Sequence, residues 1–210
     1  MIQGIKHIIF DLGNVLLNID PSLSYKALQD LNIPHFEEVY RSLNEKNIFE
    51  QLETNDLSPR QFIDIIRESS GLPLQDQQII DAWNALLLDF PLRRLQIVQQ
   101  LQLHYDLILL SNTNEIHEES FNKSLQLAHG IPNIGVFFDK VYYSHRIGMR
   151  KPNPAIFQKV LTDCSFKPEH TLFIDDIEEN TLAAATLGIQ TIWLKEGMSI
   201  EKDIFLSITN

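Results

Sequence analysis

A single cysteine, Cys164, among 210 residues excludes an internal disulfide and a cysteine-rich zinc site, and it fits a reducing compartment. Positive charge is scarce as well: 17 Lys and Arg against 28 Asp and Glu leave a formal net charge of −11. An acidic surface gains no counterion release from a nucleic-acid backbone or an anionic membrane, so neither is expected as the main partner. A small anionic substrate stays possible, because a metal ion, one lysine and a few backbone N–H groups can make a local positive field. The seven histidines include no pair at helical metal-ligand spacing and read as ordinary surface or half-buried residues. The apolar run Ile8–Phe10, with Lys6 the one formal positive charge before it, is far too short for a signal peptide or a membrane span. The expectation is a cytoplasmic protein. Nothing in the sequence fixes its oligomeric state.

What the chain does have is apolar residues, 44% of the total, ample for a buried core. Ile8–Phe10 lacks alternation, as a strand buried on both faces does, and delivers Asp11 and then Gly13 at its carboxyl end. Such ends are where open α/β sheets bind ligands.

No comparable strand follows until about Leu107. Asp20-Pro21 supplies an N-cap and a first-turn proline for a helix through Leu23, Ala27, Leu28 and Leu31. A second helix runs from Ile33-Pro34 through Leu43, and a third opens at Ser58-Pro59. After the break at Gly71-Leu72-Pro73 a last apolar-rich segment runs from Ile79 to Phe90, so the insertion reads as all-helical.

From Pro91 onward helices alternate with short apolar strands. Strands are predicted at Leu107–Leu110, Lys140–Tyr143, Leu172–Ile174 and Thr191–Leu194. Helices are predicted at Pro91–Leu103, Asn114–Leu125, Pro154–Leu161 with Asn153 as N-cap, and 177–187 with Gly188 as a left-handed end. The fold class is therefore α/β: a Rossmann-like parallel sheet covered by helices on both faces, with an inserted helical unit. No repeat or low-complexity tract interrupts it.

The predicted strand ends carry Asp11, then Ser111-Asn112-Thr113-Asn114, then Gly148-Met149-Arg150-Lys151-Pro152, then Asp175-Asp176. Each has an ordinary reading alone: a helix cap, a solvated lysine, a turn. Together they bring three carboxylates, a hydroxyl and a lysine to one sheet edge. Phosphoryl transfer through an aspartyl phosphate fits them, since a carboxylate can attack phosphorus if a divalent cation and a lysine neutralise the charge between them. Hard oxygen ligands such as Asp11 and Asp175 suit Mg²⁺ rather than zinc. Ser111 and the N–H groups after it, at Asn112, Thr113 and Asn114, would hold phosphate oxygens at a helix start.

The motifs Phe10-Asp11-Leu12-Gly13-Asn14-Val15, Leu110-Ser111-Asn112-Thr113, Arg150-Lys151-Pro152-Asn153-Pro154 and Ile174-Asp175-Asp176 with Asn180 together resemble those of the haloacid dehalogenase superfamily of hydrolases. The wording is most similar to bacterial sugar-phosphate phosphatases of the glucose-1-phosphate type, which carry Asp-Leu-Gly-Asn in the first motif. The resemblance implies Asp11 as nucleophile, Ser111 as phosphate-binding hydroxyl, Lys151 as the neutralising cation and Asp175 as a direct Mg²⁺ ligand. Asp176 would bind the metal through water or hold Lys151. It also implies a core of residues 1–16 and 91–210 and a mobile cap of residues 17–90. Glu53, Asn55, Trp83 and Asn84 are the candidates at its mouth for contact with a polar leaving group, Trp83 reading better as cap core. One position departs from the pattern: most phosphatases of this superfamily carry a second aspartate, the general acid and base, where Gly13 stands. Its carbonyl can still reach a metal. The expected activity is Mg²⁺-dependent hydrolysis of a small phosphorylated metabolite. Alternatives are a metal-independent dehalogenase, which would have little use for Asp175-Asp176, and a catalytically weak binding or regulatory member, suggested by Gly13 alone.

Overall fold

The structure, a computed structural model, describes residues 2–205. Five parallel strands form one sheet: β1 (His7–Phe10), β2 (Asp106–Ser111), β3 (Lys140–Tyr143), β4 (Thr171–Asp175) and β5 (Gln190–Trp193), in the spatial order β3-β2-β1-β4-β5. Ile8 lies opposite both Leu107 and Leu172, so the central strand is paired on both edges. Its side chains divide between two apolar clusters. Ile8 and Phe10 pack with Leu95, Val98 and Phe121 of helices α6 (Leu92–Leu101) and α7 (Glu115–His129), on one face. Ile9 packs with Phe157, Val160 and Ala184 of α9 (Pro154–Cys164) and α10 (Glu178–Ala185), on the other, and a short helix, α8 (Ser144–Ile147), follows β3. A strand covered on both faces must be apolar throughout, which is why Ile8–Phe10 shows no alternation. The chain builds β2 and β3 to one side of β1 and β4 and β5 to the other. The order reverses between β1 and β4, and the crevice at that switch point opens beyond Phe10 and Asp175.

Between β1 and β2 the chain forms α1 (Pro21–Gln29), α2 (Phe36–Glu45), α3 (Ile48–Glu53), α4 (Pro59–Ser70) and α5 (Asp76–Asn84). The caps expected from sequence are present: Asp20 accepts from the Ser22 N–H, and Ser58 with Gln61 forms a capping box. The helices close on their own cluster of Leu28, Leu52, Phe62, Ile66, Ile79 and Trp83. Two features depart from the expectation. A short helix, α3, lies where none was predicted. The segment after Asn84 is not helical: 85–90 turns back and pairs with 18–20, through Asn18 N–H to Asp89 O (2.9 Å), Leu88 N–H to Asn18 O (3.0 Å) and Asp20 N–H to Leu86 O (2.9 Å). Leu86-Leu87-Leu88 has no polar face for a helix to present to water, and the two crossings satisfy each other's backbone groups as one ribbon instead. Gly188 is left-handed as expected, φ +83°, beyond the helix end at Ala185. Among the described residues no helix is long and apolar enough to cross a membrane.

The insertion meets the sheet domain at α7. Trp83 stacks on the His117 ring (5.0 Å between centroids), Ile116 joins the insertion's own cluster, and His117 Nε2 donates to the Trp83 carbonyl (3.2 Å). The other ring nitrogen, Nδ1, accepts from the Asn114 amide (3.0 Å), so the imidazole is neutral with its proton on Nε2. Burial pushes its pKa down to about 4, against the raising influence of the Trp83 carbonyl. The unfolded chain therefore takes up a proton on His117 more readily than the folded one. Stability conferred by the neutral ring is present above the unfolded value and declines as pH falls toward the folded one. Urea midpoints should drop between about pH 6.5 and 4.5. His117→Gln, which keeps a donor for Trp83 but carries no charge, should flatten that slope; a variant curve parallel to the native one would place the titration elsewhere.

Candidate active site

The carboxyl edge of the sheet gathers residues from four segments. Asp11 follows β1, its N–H donating to the Ile174 carbonyl (3.0 Å), so the strand pairing that buries Ile8–Phe10 also sets where the carboxylate begins. Lys151, only 1% exposed, lies between Asp11 and Asp175. Its Nζ donates to Asp11 Oδ1 (2.6 Å) and Asp175 Oδ2 (2.7 Å) and sits 5.4 Å from the Phe173 ring centroid. Burial works against this ammonium, but Asp11 and Asp175 hold its pKa above the ordinary lysine value.

Asp175 is fully buried and saturated. Besides Lys151, it accepts from the Ile177 N–H (2.8 Å) and, on both oxygens, from the Asn180 amide (3.0 and 3.1 Å). Asp176 is half-buried, and its carboxylate takes a hydrogen bond from the Asn14 amide (3.0 Å). It is thus Asp175, and not Asp176, that holds Lys151. Asp176 keeps the freer carboxylate of the pair, and of the two roles the sequence left open for it, holding Lys151 is taken by Asp175.

Asp11, Asp175 and Asp176 each offer an oxygen within 4.8 Å of the others. Three carboxylates stand against one ammonium, so the cluster is under-neutralised. Burial, reinforced by Asp175 and Asp176 and opposed by Lys151, pushes the Asp11 pKa up to about 7; burial and then Asp175 raise Asp176 too, against the Asn14 bond. The donors are oxygens alone, a set that fits a hard divalent cation and offers nothing to a soft one.

Of the predicted phosphate-binding turn, Ser111 ends β2 buried, with its hydroxyl making only a 3.4 Å contact to the Asn112 carbonyl. The residues after it are committed elsewhere. The Asn112 amide clamps the backbone of Lys151, donating to its carbonyl and accepting from its N–H (2.9 Å each). Thr113 exchanges two bonds with the Ser144 hydroxyl, and Asn114 caps α7 and holds His117. The side chains of Asn112 and Asn114 position protein groups here; the phosphate contacts expected from sequence are backbone N–H groups, of which that of Thr113 donates to Ser144. The Gly13 carbonyl accepts from the Val15 N–H (2.7 Å), and its φ lies outside the left-handed range.

Sequence reasoning assigned no role to Arg150 or Asn14, although both stand inside quoted motifs. Arg150, next to Lys151, reaches across to α3 of the insertion, bonding Glu53 Oε2 through Nε and Nη2 (3.0 Å each) and Glu50 Oε1 through Nη1 (2.6 Å). Burial raises the Glu53 pKa, with Arg150 opposing. These pairs are partly exposed and stabilise by no more than about 1 kcal/mol each, whereas burying one large apolar side chain contributes about 1.5–3 kcal/mol. Apolar contact through Trp83 and Ile116 therefore holds the insertion down, and Arg150 sets its register. Two cavities lie at this edge of the sheet, and the first reaches the cluster at Asp176. One of about 360 Å³ is lined by Asn14, Asn18, Arg94, Asp176 and Lys195; another of about 50 Å³ lies against Gly13, Ile19, Ser111 and His117.

A parallel sheet with this order carries a lysine-bridged carboxylate cluster at its switch point, an acidic site on a Rossmann-like α/β fold. Residues 5–188 match the haloacid dehalogenase-like hydrolases, and the chain belongs to that family. It is 28% identical over 200 residues to D-ribitol-5-phosphate phosphatase of Bacteroides thetaiotaomicron, covering 95% of this chain and 97% of that one. A haloacid dehalogenase family enzyme of the same organism, solved in complex with magnesium and inorganic phosphate, superposes with a TM-score of 0.84 at 37% identity, over 92% of this chain and 96% of that one. A predicted hydrolase of the family from Porphyromonas gingivalis gives the same TM-score, 0.84, at 32% identity over 98% and 96% of the two chains.

Removing one partner of a buried pair leaves the other uncompensated, a loss of about 3–5 kcal/mol. Lys151→Met should destabilise the metal-free protein by that order in urea unfolding. In an Asp11→Asn background the same change should cost measurably less; strictly additive losses would mean that the two groups are not coupled.

Proposed function

We propose that this protein is a Mg²⁺-dependent phosphatase that hydrolyses a small phosphorylated metabolite, a sugar phosphate, through a phospho-Asp11 intermediate. The observation that carries the reading is the buried Lys151 ammonium bonded at once to Asp11 and Asp175, with Asp176 completing an oxygen-only cluster. The full-length similarity to D-ribitol-5-phosphate phosphatase, and to an enzyme solved with magnesium and phosphate, supports both substrate class and cofactor.

In this reading Asp11 and Asp176 would hold Mg²⁺, with the Gly13 carbonyl beside them, while Asp175 serves it indirectly by fixing Lys151. Bound there, the ion offsets the surplus carboxylate charge and that of the phosphoryl group. Lys151 orients Asp11 and opposes its protonation, and Ser111, whose hydroxyl is nearly free, holds a phosphoryl oxygen. The Asp11 carboxylate attacks phosphorus, the ester P–O bond breaks, and its electron pair leaves with the alcohol oxygen, which takes a proton. Water then attacks the same phosphorus, releasing inorganic phosphate and restoring Asp11. Residues 17–90 act as a cap over a core of 1–16 and 91–210. The 50 Å³ space against Ser111 and Gly13 is too small for a sugar phosphate, so the cap must lift, bending at the paired ribbon of 18–20 and 86–89.

Hydrolysis of phosphorylated sugars and polyols should vanish in chelator and return with Mg²⁺. Asp11→Asn should still fold, because Lys151 keeps Asp175, and should lose activity by several orders of magnitude. Undiminished turnover in chelator would sink the phosphatase reading and revive a metal-independent dehalogenase.

A separate expectation concerns Gly13. No carboxylate two residues after Asp11 is placed to protonate the leaving oxygen, a role worth roughly 10²–10⁴-fold when filled. Asp20 caps α1 through Ser22. Rates should therefore depend steeply on the leaving group, with aryl and anomeric phosphates favoured over primary alkyl phosphates. Gly13→Asp should help poor leaving groups most. The backbone there permits a side chain, and the new Cβ would press on the Ile19 Cδ1 methyl, at 2.8 Å, the far end of a flexible chain, with Ile19 Cγ1 at 3.5 Å and Asp11 Oδ2 at 4.0 Å in ordinary contact. Equal rates across leaving groups in the native protein would show that another group already transfers the proton.

A further inference from the structure

We propose that Asn14 is a positioning residue that couples the metal-side carboxylate Asp176 to the ribbon on which the insertion turns. This inference rests on the phosphatase reading, because it takes Asp176 as a carboxylate that faces the metal.

Asn14 stands three residues after Asp11 with φ +52°, in the left-handed region that asparagine tolerates better than other side chains do. That backbone turns its amide between two partners. The Nδ2 group donates to Asp176 Oδ2 (3.0 Å), and Oδ1 accepts from the Ile19 N–H (3.2 Å). Both ends of one rigid planar group are thus engaged.

The two partners lie on opposite sides of the proposed mechanism. Asp176 has its backbone fixed by the Trp193 indole, which donates to its carbonyl (3.1 Å), while the carboxylate's direction is set by Asn14. Ile19 is the middle residue of the outgoing crossing. It bridges antiparallel to Leu87 of the returning one, and the bonds of Asn18 and Asp20 to Asp89 and Leu86 flank that bridge. A bend of the ribbon moves the Ile19 N–H, and the amide that holds it must rotate or let go of Asp176. The reverse also holds: an ion that draws Asp176 toward Asp11 pulls on Ile19. Linkage requires the effect to be reciprocal, so whatever closes the ribbon favours the metal-ready carboxylate, and the ion favours closure.

The same pair borders the 360 Å³ cavity, whose lining includes Asn14, Asn18 and Asp176. Asp176 is therefore reachable from solvent without passing Ser111, so an ion can arrive before substrate does.

Asn14→Gly is the direct test, since glycine adopts φ +52° without strain and removes only the two side-chain bonds. Mg²⁺ affinity is read by calorimetry, and exchange of the Ile19 amide proton by NMR with and without Mg²⁺. In the native protein Mg²⁺ should slow Ile19 exchange. In Asn14→Gly, Mg²⁺ should bind about 10-fold or more weakly, the usual effect of losing a partner behind a metal ligand, and Ile19 exchange should be fast and indifferent to Mg²⁺. If Asn14→Gly does not fold, the native protein carries the test: Mg²⁺ should shift the Asn14 side-chain amide resonances and slow Ile19 exchange over the same concentration range, and an Asn14 amide that does not respond would overturn the coupling. A variant that binds Mg²⁺ within twofold of native and keeps the Ile19 response would overturn the coupling and leave the phosphatase reading intact. A native protein that binds no Mg²⁺ would overturn both.

Discussion

The ammonium of Lys151, enclosed between Asp11 and Asp175, is the contact on which the other features of the sheet edge depend. A lysine this buried is tolerable only with ionised partners on hand, and its partners come from the two strands that flank the switch point. Everything around it serves to keep that arrangement single-valued. Asn112 grips the backbone of Lys151 from β2's side, and Asn180 occupies both oxygens of Asp175 from α10. The sheet thereby holds a fixed positive charge at the one place where Asp11 needs it.

One ammonium does not balance three carboxylates, and the surplus falls unevenly. Asp175 is saturated with donors, whereas Asp11 and Asp176 are driven up toward the neutral form by burial and by their neighbours. The site is thus incomplete in charge on the Asp11–Asp176 side. A cation is favoured there for the same reason that a proton is, which makes charge, more than shape, the ground for the proposed metal position.

Much of this was legible because buried strands and helix caps are local signals. Ile8–Phe10, Leu107–Leu110 and Leu172–Ile174 are apolar because both faces of the sheet are covered, and Asp20, Ser58, Asn114 and Asn153 cap helices through their own short side chains. The unread features depend on partners far along the chain. Helix α3 has only six residues and no side-chain cap, and 85–90 leaves the helix because its backbone finds 18–20 across the whole insertion. Which of Asp175 and Asp176 holds Lys151 turns on the direction each side chain takes at a strand end, and adjacent residues take opposite ones. The grip of the Asn112 side chain on the Lys151 backbone was also unread, because its partner stands 39 positions away.

The contacts between insertion and sheet domain recur one step from the charged cluster. Arg150 precedes Lys151 and bonds α3; His117 lies in the first turn of the helix that follows Ser111 and bonds the Trp83 carbonyl; Asn14 follows Asp11 and ties Asp176 to the ribbon. Each ionic or polar tie is weak alone, and the apolar contact at Trp83 and Ile116 supplies most of the adhesion. Their placement matters more than their strength. A rigid-body movement of the insertion cannot release Glu53, Trp83 and Ile19 without disturbing the neighbours of Lys151, Ser111 and Asp176. Access to the site and the geometry of its charges are therefore tied together, and in the proposed mechanism the ribbon at 18–20 and 86–89 is where the two are joined.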